Sequence, residues 1–202
     1  MIPKGMLVYL IYAICLAVFA FWQLPTDQTF MMNNFLVSWE LLSEGRWWTL
    51  VTSVFSHNSA LHLLINMLVL SSFGPILIKV IGARRFISFY LLAGITASLS
   101  HAILSNYLMH QPELPALGAS GSIAGLVLLF SLMFPKEKLL LFGIIPVPAL
   151  LGAFAFIGID LWGLSVQAHG GGLPIGHGAH LGGSFTGVVF YFFVIRKRWL
   201  TS

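Results

Sequence analysis

Six apolar stretches punctuate this chain of 202 residues, near Met6 to Trp22, His62 to Ile78, Phe86 to Leu104, Ser120 to Phe134, Leu139 to Leu161 and Ala179 to Ile195. A bilayer core about 30 Å thick takes roughly 20 apolar residues of helix to cross, and backbone polar groups in lipid must be satisfied within the helix. The expected fold class is therefore an all-α polytopic membrane protein. With 58% hydrophobic and only 8% charged residues, little is left for a separate soluble domain, so one domain over residues 1–202 is expected. The lone Cys15 allows no intramolecular disulfide. The first stretch is expected to be retained rather than cleaved, because Ala17 and Ala20 make a poor small-residue cleavage site before Phe21 and Trp22.

The net charge of +4 is laid out as a topology signal, and no nucleic-acid partner is expected. If all six stretches span, then Lys4, Lys79, Arg84, Arg85, Lys136, Lys138, Arg196, Lys197 and Arg198 fall on one side and Arg46 alone on the other. The positive-inside rule then puts both termini in the cytoplasm, with the second, fourth and sixth stretches running inward. Pro25 to Trp48 mixes large apolar and polar residues and is expected to lie in the outer interface, with Trp47 and Trp48 as belt aromatics. Asp27, Glu40, Glu44 and Glu113 are expected on that outer side. Pro146 and Pro148 are expected to kink or interrupt the fifth stretch, and Gly170, Gly171, Gly172, Pro174 and Gly176 to make a flexible loop into the sixth.

Polar residues inside a span are costly and therefore become functional candidates. His62 and Asn66 are four apart and share a helical face, Ser120 opens the fourth stretch within Gly118-Ala119-Ser120-Gly121, and His180 opens the sixth. Ser120 lies sixteen residues before Lys136, His180 sixteen before Arg196 and His62 seventeen before Lys79. At 1.5 Å per residue all three stand roughly 24 Å above the inner boundary, at one level. Gly121 with Gly125, and Gly183 with Gly187, make two small-residue faces of the kind that lets membrane helices approach closely. Gly183 and Gly187 share a face with His180, so packing the two glycine faces together brings Ser120 beside His180.

A serine hydroxyl becomes a competent nucleophile when an imidazole takes its proton, and this pair makes a Ser-His dyad. No carboxylate is expected at the same depth, with Asp160 assigned to the outer end of the fifth stretch and Glu137 to the inner side. His62, the Asn66 amide and the Ser120 N–H are candidate donors to an oxyanion. Each feature also has a plainer reading: Ser120 as a helix N-cap, the histidines and Asn66 as packing or interhelical hydrogen-bonding groups, and the glycines as packing devices alone. No cofactor is expected; a metal site made from His169, His177 and His180 is conceivable but not favoured.

At these residues the chain resembles the rhomboid family of intramembrane serine proteases. The marks are a G-x-S-G motif at Gly118 to Gly121, an A-H-x-x-G-x-x-x-G helix at Ala179, His180, Gly183 and Gly187, and an H-x-x-x-N pair at His62 and Asn66. The resemblance runs from about Met6 to Arg198 and implies a six-transmembrane-helix bundle with an interfacial first loop. It also implies Ser120 as nucleophile, His180 as general base and acid, and His62, Asn66 and Gly118 around the oxyanion and substrate. The implied partners are transmembrane protein substrates, cut near the outer face, and the lipid bilayer. His57 matches a histidine often found before His62, and Gly170 to His177 corresponds to a flexible cap over the site.

Thr49 follows Trp48 where many relatives have an arginine. Ala124 stands where many carry an aromatic that supports the histidine ring, so some other group is expected to orient His180. The long glycine-rich loop into the sixth stretch is similar to the mitochondrial branch. No Arg-rich transit peptide precedes the first stretch, and a bacterial inner membrane is the expected location. Two other readings stay open: an inactive rhomboid-like protein that binds client helices, and a channel or transporter using His62, Asn66 and His180.

Overall fold

The computed structural model describes residues 6–24, 28–141 and 144–196, so Lys4, Pro25, Asp27, Lys197 and Arg198 lie outside the described residues. The first stretch is helix α1 (Met6–Gln23). The segment expected at the interface is a run of short helices, α2 (Gln28–Phe35), α3 (Trp39–Ser43) and α4 (Thr49–Thr52), ending in a 3-10 turn at Ser53–Phe55. Trp47 and Trp48 are exposed, as belt aromatics would be. The Trp48 indole donates to Asn34 Oδ1 at 3.1 Å and buried Thr49 donates to the Arg46 carbonyl at 2.7 Å, so this loop is pinned without an arginine after Trp48.

The long helices follow as α5 (Ala60–Ile81), α6 (Ala83–Tyr107), α7 (Ser120–Met133), α8 (Ala149–Ala168) and α9 (His177–Phe190), the last continuing as a π-helical turn over Tyr191–Ile195. Among the described residues five helices, α1, α5, α6, α8 and α9 with its π turn, are long and apolar enough to cross a membrane. Helix α7 is shorter, 14 residues or about 21 Å, and is buried along nearly its whole length. It is the hub of the bundle, with α5, α6, α8 and α9 all packed against it. Its apolar side chains have no lipid to face, so its length is freed from the thickness of the bilayer.

One expectation is corrected. The fifth stretch does not run as a kinked helix from Leu139 to Leu161. Its first part is an antiparallel hairpin, β1 (Lys138–Leu141) with β2 (Ile145–Pro148), in which Lys138 faces Pro148 and Leu139 faces Val147. Proline lacks the N–H a helix needs and drives the residue before it toward extended backbone, so Pro146 and Pro148 together hold Ile145 to Pro148 out of a helix. Helix α8 starts only after the second proline and runs on to Ala168. Asp160, assigned from the sequence to an outer end, is thereby placed in the helix interior and is buried.

Helix α9 lies between α6 and α7 and meets both at glycines. A Cβ on Gly183 would fall on the Gly121 carbonyl oxygen, one on Gly125 would sit 2.6 Å from the Gly183 carbonyl oxygen, and one on Gly187 would sit 2.8 Å from that of Gly125. On the α6 side, a Cβ on Gly182 would lie 2.8 Å from the Thr96 carbonyl oxygen. Backbone here packs directly on backbone. Gly158 on α8, by contrast, has nothing within 4 Å of its would-be Cβ. Gly183→Val should therefore lower thermal stability in detergent by about 1–3 kcal/mol or more, the usual cost of overpacking. Gly158→Val should be near neutral, and equal unfolding temperatures for the two variants would contradict the close α7–α9 contact.

Candidate active site

Ser120 is the first residue of α7, and the turn that delivers it is fixed from three directions. The Gly118 N–H donates to the Ser53 carbonyl at 2.9 Å, and the Ala119 N–H donates to His57 Nε2 at 3.4 Å. Gly118 itself has φ +120°, and a Cβ there would come within 2.5 Å of the His62 ring. Only glycine satisfies both demands, which is the physical content of the first position of the G-x-S-G motif. The Val37–Ala116 bridge, with N–H to carbonyl distances of 2.9 and 2.8 Å, ties the approach to this turn to the loop after α2.

Across from it, His180 sits on the first turn of α9. Its Nε2 lies 3.0 Å from Ser120 Oγ, and its Nδ1 lies 3.0 Å from Asp160 Oδ1. The sequence reading placed no carboxylate at this depth, and the ten-residue shift in the start of α8 corrects it. As a carboxylate, Asp160 can only accept hydrogen bonds, so His180 donates to it through Nδ1–H. That tautomer leaves Nε2 with a lone pair to receive the Ser120 hydroxyl proton. A second imidazole, His177, also meets Asp160 Oδ1, at 2.7 Å from its Nδ1. Phe156, one helical turn before Asp160 on α8, lies against the His180 ring with centroids 5.5 Å apart. Asp160 and Phe156 thus supply the support that Ala124, buried inside α7, does not.

Asp160 and Phe156 are site residues that the sequence expectation lacks, and His177, named there only for a metal site with His169 and His180, meets Asp160. Asp160 did carry a signal, as the sole acidic residue within the apolar run that forms α8, with Phe156 four residues earlier on the same face.

His62 and Asn66 project from α5 toward the same place. The Asn66 amide nitrogen lies 3.2 Å from His57 Nε2 and 3.0 Å from the His62 carbonyl, so both of its protons are engaged within the loop and helix. Burial, with the His62 ring beside it, pushes His57 down to about 4, and the neutral ring accepts at Nε2. Its plane meets that of His62 edge to face, with centroids 5.0 Å apart. His62 is only partly buried and is the imidazole of this pair that is open to the cleft. His169, by contrast, is exposed and bonded through Nδ1 to the Ser165 carbonyl at 2.7 Å, away from His177 and His180.

His62, Asn66, Gly118, Ser120, Phe156 and His180 line one cleft of about 1200 Å³ that runs between α5 and α8, from the Pro174–Gly176 loop down to the hairpin. Its walls are mostly apolar, with Ile65 and Val69 on one side and Ala155 and Ile159 on the other. The Pro174–Gly176 loop at one end of the cleft is held by Gln167, whose amide donates to the Leu173 and Ile175 carbonyls at 2.7 and 2.8 Å. An apolar trough that holds a serine hydroxyl at a helix N-terminus, beside an imidazole backed by a carboxylate, has the parts that acyl transfer needs.

The rhomboid domain family matches residues 44–197. Rhomboid protein 1, mitochondrial, of Saccharomyces cerevisiae is 36% identical over 96% of this chain and 54% of its own length. RHOMBOID-like protein 12, mitochondrial, of Arabidopsis thaliana is 32% identical over 90% of this chain and 56% of its own. Rhomboid protease GluP of Bacillus subtilis is 39% identical over 42% of this chain and 15% of its own. The chain spans about half the length of the two longer matches. With the family's domain covering most of its helices, and with a bundle of apolar helices to match, the chain is an integral multi-pass membrane protein that belongs to the rhomboid family.

Proposed function

We propose that this chain is an intramembrane serine endopeptidase that cuts transmembrane segments of other membrane proteins. The observation that carries the reading is the 3.0 Å contact of Ser120 Oγ with His180 Nε2 inside an apolar cleft, with Asp160 behind the base. His180 takes the Ser120 proton as Oγ attacks the scissile carbonyl, and Asp160 stabilises the imidazolium that results. His180 then returns the proton to the leaving amine, and a water, deprotonated in turn by His180, releases the acyl group from Ser120. The Ser120 N–H at the start of α7, together with His62, faces the developing oxyanion, where helix dipole and donors act together. Asn66, with both amide protons engaged, acts by fixing His57 and His62. Gly118 leaves room for the His62 ring.

The substrate class follows from the cleft. A helix entering between α5 and α8 meets apolar walls throughout, and only its unwound end offers a backbone carbonyl to Ser120. The whole chain acts as one catalytic unit, with Ser120 nearer the face opposite the basic ends of α5, α7 and α9. The bacterial inner membrane expected from the sequence is not supported by the yeast and Arabidopsis relatives, whose names carry a mitochondrial label.

Ser120→Ala should abolish cleavage of a reporter transmembrane substrate while the protein stays folded, and turnover retained in a clean detergent preparation would sink the serine mechanism. His180→Ala should remove cleavage and fluorophosphonate labelling of Ser120 together. Asp160→Asn should lower kcat by about 10⁴-fold if Asp160 sets the His180 tautomer as it does in soluble triads. Unchanged kcat in a folded Asp160→Asn protein would reduce the carboxylate to a packing role. His62→Ala should cost about 10²-fold in turnover, the usual worth of one oxyanion donor. A His62→Ala protein as fast as wild type would assign the oxyanion to backbone donors alone.

A further inference from the structure

The Asp160 carboxylate is shared unevenly. Both imidazoles meet the same oxygen, Oδ1, while Oδ2 is buried and has no hydrogen-bond partner among the described residues. The side chain is 3% exposed. A carboxylate oxygen left unpaired in the interior is costly, and in a folded protein such an orphan calls for a partner such as an ion. The three donor groups of Asp160, His177 and His180 all lie within 4.8 Å of one another. The two rings stand nearly perpendicular, with an interplanar angle of 86°, and present Nδ1 to the carboxylate from different directions. His177 has little freedom to leave, because its ring is packed on Gly163, where an added Cβ would collide with it.

We propose that Asp160, His177 and His180 form a binding site for a divalent transition-metal ion of the zinc type, and that its occupation switches the protease off. Two imidazole nitrogens and one carboxylate oxygen, with a fourth position open, are a donor set that zinc accepts. With bonds of about 2.0–2.1 Å, tetrahedral ligands sit about 3.3 Å apart. The two Asp160-to-imidazole distances, 2.7 and 3.0 Å, therefore have to lengthen by a few tenths of an ångström, and the imidazole donors, now within 4.8 Å of each other, have to reach that same spacing.

The inhibitory effect rests on the serine-protease reading and follows from the tautomer. A metal on Nδ1 of a neutral imidazole leaves the ring proton on Nε2, so the proton of each ring moves from Nδ1 to Nε2 and none is lost. His180 then presents an N–H to Ser120 Oγ in place of a lone pair, and the hydroxyl has no base. The ion's two positive charges meet one buried carboxylate, whose second oxygen, Oδ2, is held by no other group among the described residues. His177 is the ligand that turns a supported base into a metal trap.

The test uses the purified full chain in detergent. Co²⁺ added to wild type and to Ser120→Ala should give the intense visible d–d bands of a four-coordinate site, at one ion per chain. His177→Gln keeps a donor for Asp160 but removes the imidazole, and it should lose the bands while unfolding at a normal temperature. Zn²⁺ should slow fluorophosphonate labelling of wild-type Ser120 by about 10²-fold or more, the usual worth of a general base. A chelator should restore the rate. Even outer partners of a metal are worth about 10- to 100-fold in affinity, so His177→Gln should need at least about 100-fold more Zn²⁺ for the same effect. Should His177→Gln fail to fold, His180→Ala must lose the cobalt bands instead. Absence of bands from wild type, bands unchanged in the folded variant, or equal Zn²⁺ sensitivity of wild type and variant would each overturn the proposal. If metal-free wild type is not labelled at all, it is the protease reading that fails, and the cobalt arm still decides the site.

Discussion

Everything at the centre of this molecule depends on how closely two helix backbones can approach. Helices α7 and α9 meet glycine on glycine, and in a bilayer, where lipid tails are as apolar as leucine, such contact is one of the few ways to hold helices together. Side chains of ordinary size at Gly121, Gly125, Gly183 and Gly187 would set the helices apart and carry Ser120 beyond reach of His180. The hydroxyl-to-imidazole contact of 3.0 Å is thus a consequence of residues that carry no chemistry. The third helix at this junction, α6, is bound by the same device through Gly182 and Thr96, so that α9 is clamped on both sides.

Around that junction polar groups are joined in a chain of hydrogen bonds that leaves Asp160 Oδ2 and His57 Nδ1 outside it. The Asn66 amide serves His57 and the His62 carbonyl, His57 accepts from the backbone beside Ser120, and Ser120 joins His180 and Asp160. Away from water each of these groups is expensive to leave unpaired, which makes the network a rigid template. The rigidity is also what acyl transfer requires, since donors aimed beforehand need not reorganise when charge appears.

Much of the architecture is legible in the sequence. Five of the six apolar stretches coincide with helices to within a few residues, and Ser120, His180, His62 and Asn66 draw notice because lipid should exclude them. The fifth stretch fails for a physical reason. Leu139 to Ile145 is as apolar in a hairpin as in a helix, and hydrophobicity cannot tell one from the other. Pro146 and Pro148 hold the deciding information, because two prolines one residue apart mark where a helix has yet to begin. Counted from Ala149, Asp160 moves from a helix end to the helix interior. Phe156 has no signal of its own in an apolar run; it becomes visible only one turn from a carboxylate whose place is known. His177, one turn before His180, is visible in the sequence beside His169, but its contact with Asp160 is not, because that partner lies on another helix whose start is misplaced.

The allocation of these groups among helices has a mechanical corollary. Ser120 rides on α7 and His180 on α9, two elements locked together, whereas Asp160 and Phe156, which contact the His180 ring, ride on α8, which also forms one wall of the cleft. Phe154, Leu161 and Trp162 are exposed on the far side of α8, while Asp160 and Phe156 meet the His180 ring from the same helix. The width of the cleft and the support of that imidazole are therefore set by the position of one helix, and any displacement of α8 against α9 would change both together.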